Sequence, residues 1–338
     1  MASHGIEIRN LYKIFGPKGH KYVDAVRGGM SKTELNEKYG HVLGLKDINI
    51  SMPAGKIQVV MGLSGSGKST LIRHINRLIE PTVGEVIYEG QDVCKMSKAE
   101  LLQFRRMKTA MVFQKFALLP HRTVLANTLY GLEIQRVPHK EAEERARRWI
   151  SRVGLEGFED HYPNQLSGGM QQRVGLARAL TNDADILLMD EAFSALDPLI
   201  RMDMQGVLLD IQQELHKTVV FITHDLDEAL RLGDRIAILR DGAVIQQGTG
   251  QDIVLNPQDD YIAEFVKEVN RGRVIRADTV MKPGEPVDLT IESGALLEDV
   301  AKRLTETGAS ELTVVDSTGK PLGQLTLHDT IGAMVTPS

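Results

Sequence analysis

The chain has 338 residues, 42% hydrophobic and 25% charged, the profile of a globular protein large enough for one major and one minor domain. A formal net charge of −5 offers no general basic face, which argues against a nucleic-acid partner, and the single cysteine, Cys94, excludes an internal disulfide. The first residues lack a signal-peptide pattern and no apolar run approaches the ~20 residues of a membrane helix. The expectation is a cytoplasmic protein that meets a membrane only through a partner.

Ile6 to Leu11 alternates and reads as an edge strand, followed by a polar insert over about 17 to 44 with a short helix capped by Ser31. Leu45 to Met52 is a second strand and Ile57 to Met61 a third. The third runs into Gly62-Leu63-Ser64-Gly65-Ser66-Gly67-Lys68-Ser69-Thr70, which fits the G-x-x-x-x-G-K-[ST] pattern of a phosphate-wrapping loop. An amphipathic run over Leu71 to Leu78 completes strand, loop and helix. Glycines at 62, 65 and 67 leave backbone N–H groups open to the phosphates, and the helix dipole favours the same anion. Lys68 reaches the β- and γ-phosphates and Ser69 offers a hydroxyl to Mg²⁺. Gly62, Ser64, Gly65, Ser66, Gly67, Lys68, Ser69 and Thr70 are the candidate nucleotide-binding residues.

From about 92 to 165 the texture is helical. Ser97 and Glu100 form a capping box, and His139 to Val153 carries Ala142, Ala146, Trp149 and Val153 at helical spacing, with Trp149 read as core filler. Leu166 to Arg173 opens a helix through Ser167, Gly168 and Gly169, a second anion site that is most useful if it faces another subunit's nucleotide. Buried strands return at Ile186 to Asp190 and Thr218 to Thr223, with helices after each. Arg235 to Leu239 and Ala243 to Gln246 flank the hairpin pair Asp241-Gly242. The first of these strands ends on Asp190-Glu191: Asp190 is placed to hold Mg²⁺ through its water shell, and Glu191 to polarise the attacking water beside the γ-phosphate. Residues 271 to 338 read as one separate βαββα unit.

These motifs resemble the nucleotide-binding subunits of ABC transporters over roughly residues 6 to 270, with Leu166-Ser167-Gly168-Gly169-Met170 as the signature and Met170 in the place of the usual glutamine. The resemblance implies an α/β fold, an ABC-type P-loop NTPase with a RecA-like core sheet, an antiparallel β subdomain and an α-helical subdomain at about 92 to 180. It implies ATP and Mg²⁺ as cofactors and ATP hydrolysis as the activity. It assigns adenine stacking to Phe15, with Tyr12 as the competing aromatic. Gln114 would contact Mg²⁺ and the lytic water, Asp197 lies in the loop that crosses to the partner subunit, and His224 is the switch histidine at the γ-phosphate. Together with Glu191, these make Gln114 and His224 the catalytic set, with Ser69, Gln114 and Asp190 on the metal.

Residues 61–70, 76–82 and 189–201, and the early insert, look like the glycine betaine/proline betaine importer subfamily. The implied partners are a second copy in a head-to-tail dimer, integral membrane permease subunits, and a periplasmic or surface solute-binding protein reached through them, at the cytoplasmic face of the cell membrane. The stretch Lys115 to Val124 then reads as a permease docking surface or as helical-domain core. An importer for histidine-like amino acids, or a soluble ABC ATPase with no transport role, is the alternative. Gly323 to Asp329 resembles a CBS motif, in which Thr326 and Asp329 contact a nucleotide. The small unit is thus either a regulatory or dimerisation module or a structural appendage.

Overall fold

A computed structural model describes residues 5–114, 116–194 and 196–335, and the chain divides into two compact units, 1–247 and 248–338. The division lies ahead of the sequence-expected boundary at 270/271. The helices Gly250–Leu255 and Asp260–Val266 therefore fall in the second unit.

The first unit contains strands β1 (Ile6–Phe15), β2 (Val42–Met52), β3 (Ile57–Met61), β4 (Val83–Tyr88), β5 (Gln91–Asp92), β6 (Thr109–Val112), β7 (Ile186–Asp190), β8 (Thr218–Thr223), β9 (Arg235–Arg240) and β10 (Ala243–Gly248). They form a four-stranded sheet ordered β2-β1-β4-β5 and a six-stranded sheet ordered β10-β9-β3-β8-β7-β6. The neighbours of β1 are antiparallel, whereas β9, β3, β8, β7 and β6 are mutually parallel. Every residue of β3, β7 and β8 is buried, which is why these strands are continuous apolar runs and not alternating ones.

Two sequence expectations change here. β1 is an inner strand flanked by β2 and β4, not an edge strand; its alternation reflects a sheet with one covered face. β6 lies inside the stretch that reads as helical, because four residues are too few for a periodicity to show.

The helix Lys68–Ile75 follows β3 and packs into the largest core cluster, contributing Leu71, Ile72 and Ile75. That cluster joins Ile6, Leu45 and Ile50 of the antiparallel sheet to Val60, Leu188 and Ile222 of the parallel one. Burying each of the three helix side chains is worth about 2 kcal/mol, so the phosphate loop is fixed from behind by both sheets. The insert is helical at Val23–Arg27 and at Lys32–Tyr39, the latter with a Ser31/Glu34 capping box, and has its own small core around Val26 and Leu35.

Helices Lys98–Met107, Val124–Gln135, His139–Arg152 and Gly168–Thr181 make up the helical region. Its core uses Leu129, Leu132, Ala142 and Ala146. Trp149 is only partly buried, with the Arg152 guanidinium 5.3 Å from its ring centroid; Ile150, fully buried, fills the interior instead.

In the second unit, β11 (Thr290–Glu292) pairs parallel with β12 (Glu311–Val315), and β12 pairs antiparallel with β13 (Pro321–Thr326). Helices Leu297–Thr307 and Leu327–Met334 complete a β-α-β-β-α order around Val300, Leu304, Leu312, Val314 and Leu325.

Candidate functional site

The phosphate loop leaves the buried end of β3 with φ values that side chains resist. Gly62 has φ 149°, and a Cβ there would lie 2.2 Å from the Leu239 carbonyl oxygen. Gly67, at φ 104°, is the cap residue of the following helix, and a Cβ on it would meet the Gly44 carbonyl oxygen at 2.8 Å. Both positions need glycine for conformation and for space. Inside the loop the Ser66 hydroxyl is buried and, among the described residues, has no hydrogen-bond partner. Lys68 is 4% exposed; its Nζ donates to the carbonyls of Gly62 at 2.8 Å and Leu63 at 3.2 Å and lies 3.5 Å from Glu191 Oε1.

Because β8 lies between β3 and β7, the acids that end β7 face the start of the loop helix. Ser69 Oγ donates to Asp190 Oδ1 at 2.7 Å, and Asp190 is buried. Glu191 is held in the left-handed region, φ 48°, by its N–H on Ile222 O and by the Ser194 hydroxyl on its own carbonyl at 2.9 Å. A non-glycine residue there costs about 1–3 kcal/mol, and such strain concentrates at working sites. The turn aims the Glu191 carboxylate at three groups: Lys68, the Gln114 amide, which donates to Oε2 at 3.0 Å, and His224, whose Nδ1 is 3.8 Å from the same oxygen. Three residues from three separate stretches thus meet at the carboxylate of a fourth.

The remaining sequence-predicted residues lie around this cluster or away from it. Phe15 is 38% exposed at the end of β1 with Lys13 Nζ 5.0 Å from its ring centroid, and a Cβ on Gly44 would touch it at 2.6 Å. Gly44 in turn abuts Gly67, so one residue separates Phe15 from the phosphate loop. Tyr12 is buried in the insert's core with Arg27 over its ring. Ser167 caps its helix by accepting the Met170 N–H, and Ser167 and Gly168 are exposed. Asp197 caps the helix Pro198–Leu215 by accepting the Ile200 N–H at 3.1 Å. Among the described residues, no hydrogen bond or ion pair joins Ser167, Gly168, Gly169 or Asp197 to the phosphate loop. Lys115, the first residue of the expected docking stretch, and Ala195, two residues before Asp197, lie outside the described residues.

The ABC transporter family profile matches residues 45–194. The chain is 50% identical over 324 residues to the glycine betaine transport ATP-binding protein OpuAA of Bacillus subtilis (strain 168), covering 96% of this chain and 77% of that one. The chain belongs to the ABC transporter family of ATP-binding subunits. It is also 52% identical over 277 residues to the glycine betaine/proline betaine transport system ATP-binding protein ProV of Escherichia coli (strain K12), covering 82% of this chain and 69% of that one. Among solved structures it resembles a dimeric ATP-binding cassette in a post-hydrolysis state bound to ADP and Pi, with 34% identity and a TM-score of 0.62 over 72% of this chain and 98% of that one. Its fold is the ABC cassette fold, and the family's subunits hydrolyse ATP in the service of transport.

Two contacts of this cassette, made by Arg73 and by Ser194 of the crossing loop, are not foreseen from sequence. Arg73 donates to Asp190 Oδ2 at 3.2 Å while Ser69 takes Oδ1, so both carboxylate oxygens are held. Ser69 and Arg73 are four apart on one helix and share a face, a spacing that was legible. Ser194, which fixes the strained turn at Glu191, carries no comparable signal because its partner is a carbonyl three residues away.

Proposed function

We propose that this chain is the ATP-hydrolysing subunit of an ABC importer for a quaternary-amine or betaine-type solute. The convergence of Lys68, Gln114 and His224 on Glu191, beside the Ser69–Asp190 hydrogen bond, is the observation that carries the catalytic half of the reading. ATP lies with its phosphates in 62–70 and its adenine on Phe15. Lys68 exchanges the Gly62 and Leu63 carbonyls for phosphate oxygens. Glu191 accepts a proton from the attacking water, with Gln114 and His224 orienting that water and the γ-phosphate. The hydroxyl of Ser69, the carboxylate of Asp190 and the side-chain oxygen of Gln114 are hard donors that suit Mg²⁺ while leaving positions for phosphate oxygens and water. Bound there, the ion neutralises phosphate charge.

Ser167, Gly168 and Gly169 are exposed or half-exposed and apart from the loop in the same chain, which favours a head-to-tail dimer in which they close on the partner's nucleotide, with Asp197 at the crossing. The half-buried apolar run Phe116, Leu118 and Leu119 is pinned by Asn127, which bonds the Leu119 N–H and carbonyl; it is the docking surface for permease subunits. Through them the chain sits at the inner face of the membrane and serves an external solute-binding protein; no described helix is long and apolar enough to cross a membrane itself. The solute class follows from the names of OpuAA and ProV. The second unit acts as a CBS-like module, with Thr326 bonded to Asp329 at 2.8 Å where a nucleotide is expected.

The test is Glu191→Gln in the full chain. ATP binding persists, an ATP-bound dimer accumulates, and hydrolysis falls by on the order of 10² or more. Wild-type turnover in that variant removes Glu191 from its role. Uptake by proteoliposomes carrying the whole assembly, compared between glycine betaine and histidine, tests the solute class.

A further inference from the structure

Phe116 and Ala117 are consecutive non-glycine residues with φ 54° and 48°, a turn that L side chains resist twice over. Something outside the turn must hold it. The guanidinium of Arg178, on the helix Gly168–Thr181, donates from Nη1 to Ala117 O at 2.7 Å and from Nη2 to Phe116 O at 3.1 Å. Among the described residues no carboxylate pairs with Arg178, and burial pulls its pKa below the ordinary arginine value. Its charge is therefore committed to two carbonyls of one turn, in the planar fork geometry that lysine cannot copy.

The same turn touches the same helix elsewhere. A methyl on Gly168 would fall 3.7 Å from Phe116 Cζ, and one on Gly175 would fall 3.7 Å from Phe116 O. Positions 168, 175 and 178 are spaced seven and three apart, so they form one face of the helix. Phe116 thus lies along that face from the exposed glycine at its start to the arginine near its end. Gln114, which bonds Glu191, is two residues upstream of the turn.

We propose that Arg178 is a positioning residue that locks the turn at Phe116–Ala117 onto the signature helix, so that the Gln114 segment and the anion-binding end of that helix move as one body. A displacement of the docking run 116–120 is then delivered at once to the chain's own Glu191, through Gln114, and to the partner's nucleotide, through Ser167 to Gly169. Arg178 touches neither nucleotide. The inference rests on the composite-site reading above.

Hydrogen exchange on the full chain and ATP-driven dimerisation test it. In Arg178→Lys, amide exchange is expected to rise about tenfold together at 113–119 and at 166–171, with the phosphate loop 62–70 unchanged. In the Glu191→Gln background, the same substitution is expected to raise the ATP concentration that forms the dimer at least tenfold, while ATP affinity of the single chain stays as it was. If Arg178→Lys loosens 113–119 alone and dimerisation is unchanged, Arg178 is only a local brace and the proposal fails. If Glu191→Gln by itself forms no ATP-dependent dimer, the composite-site reading fails instead, and the paired exchange change alone decides the role of Arg178. Should Arg178→Lys not fold, Arg178→Gln, which shortens the side chain and removes the two-pronged donor to the Phe116 and Ala117 carbonyls, takes its place. It must show the same paired change, and its absence overturns the proposal.

Discussion

His74, within the helix that carries Lys68 and Ser69, makes the nucleotide unit acid-sensitive. The residue is fully buried; its Nδ1 lies 2.6 Å from the Thr70 carbonyl and donates to it, while Nε2 is buried and, among the described residues, without a partner. Burial, with the nearby Lys13 charge adding to it, pushes the imidazole from 6.5 down to about 4. A folded value below the unfolded one means that the unfolded chain takes up the proton first as pH falls. The stabilisation is complete above about pH 6.5 and is lost progressively down through about 4. At about 1.36 kcal/mol per unit, this gap amounts to ~3 kcal/mol, a substantial share of a typical domain stability of about 5–15 kcal/mol. The assay is urea unfolding of the wild-type chain and His74→Leu at pH 7.5 and pH 4. Wild type is expected to lose ~3 kcal/mol more than the variant over that interval, the leucine filling the same space without titrating. Equal losses in the two proteins would show that His74 titrates normally, and the burial argument would fall.

Lys68→Ala removes a buried, charge-assisted donor worth about 1.5–3 kcal/mol, so ATP affinity should drop by roughly ten- to a hundredfold in a fluorescent-nucleotide titration. Arg73→Ala frees one oxygen of Asp190. Since Arg73 is half-exposed, the loss is about 1 kcal/mol, read as a roughly fivefold rise in the Mg²⁺ concentration needed for half-maximal nucleotide binding. Glu228 is buried against Gln205, which donates to it at 3.1 Å, and desolvation holds its pKa above the ordinary carboxylate value. Its contribution is present at low pH and lost as pH rises through the folded value, so Glu228→Gln should raise the melting temperature at pH 8 and leave it nearly unchanged at pH 4.

Much of this was legible because the motifs are local. The glycines of the phosphate loop, the acids at the end of β7 and the histidine after β8 each announce themselves by the strand that precedes them, and parallel buried strands leave apolar runs that are easily seen. What sequence could not supply was who meets whom. The Asp190–Arg73 bond spans two elements, β6 is too short to display a period, and the place of β1 within its sheet depends on which strands arrive beside it. Trp149 shows the limit of spacing arguments: 149 and 150 both continue the spacing of 142 and 146, and it is Ile150 that takes the interior while Trp149 stays partly exposed beside Arg152.

The neighbours of β3 are β8 and β9, both near the end of the first unit. During synthesis, the apolar segment Ile57–Met61 leaves the ribosome long before either partner exists. At about 5–20 residues per second the wait is on the order of ten seconds. The helices between 98 and 181 can form meanwhile, because their contacts are local, but the phosphate loop cannot be anchored until residue 223 has emerged. A truncated or stalled chain therefore presents an unpaired hydrophobic strand and no nucleotide site. For that interval the strand is open to pairing with other chains, an aggregation hazard set by the order of the strands alone.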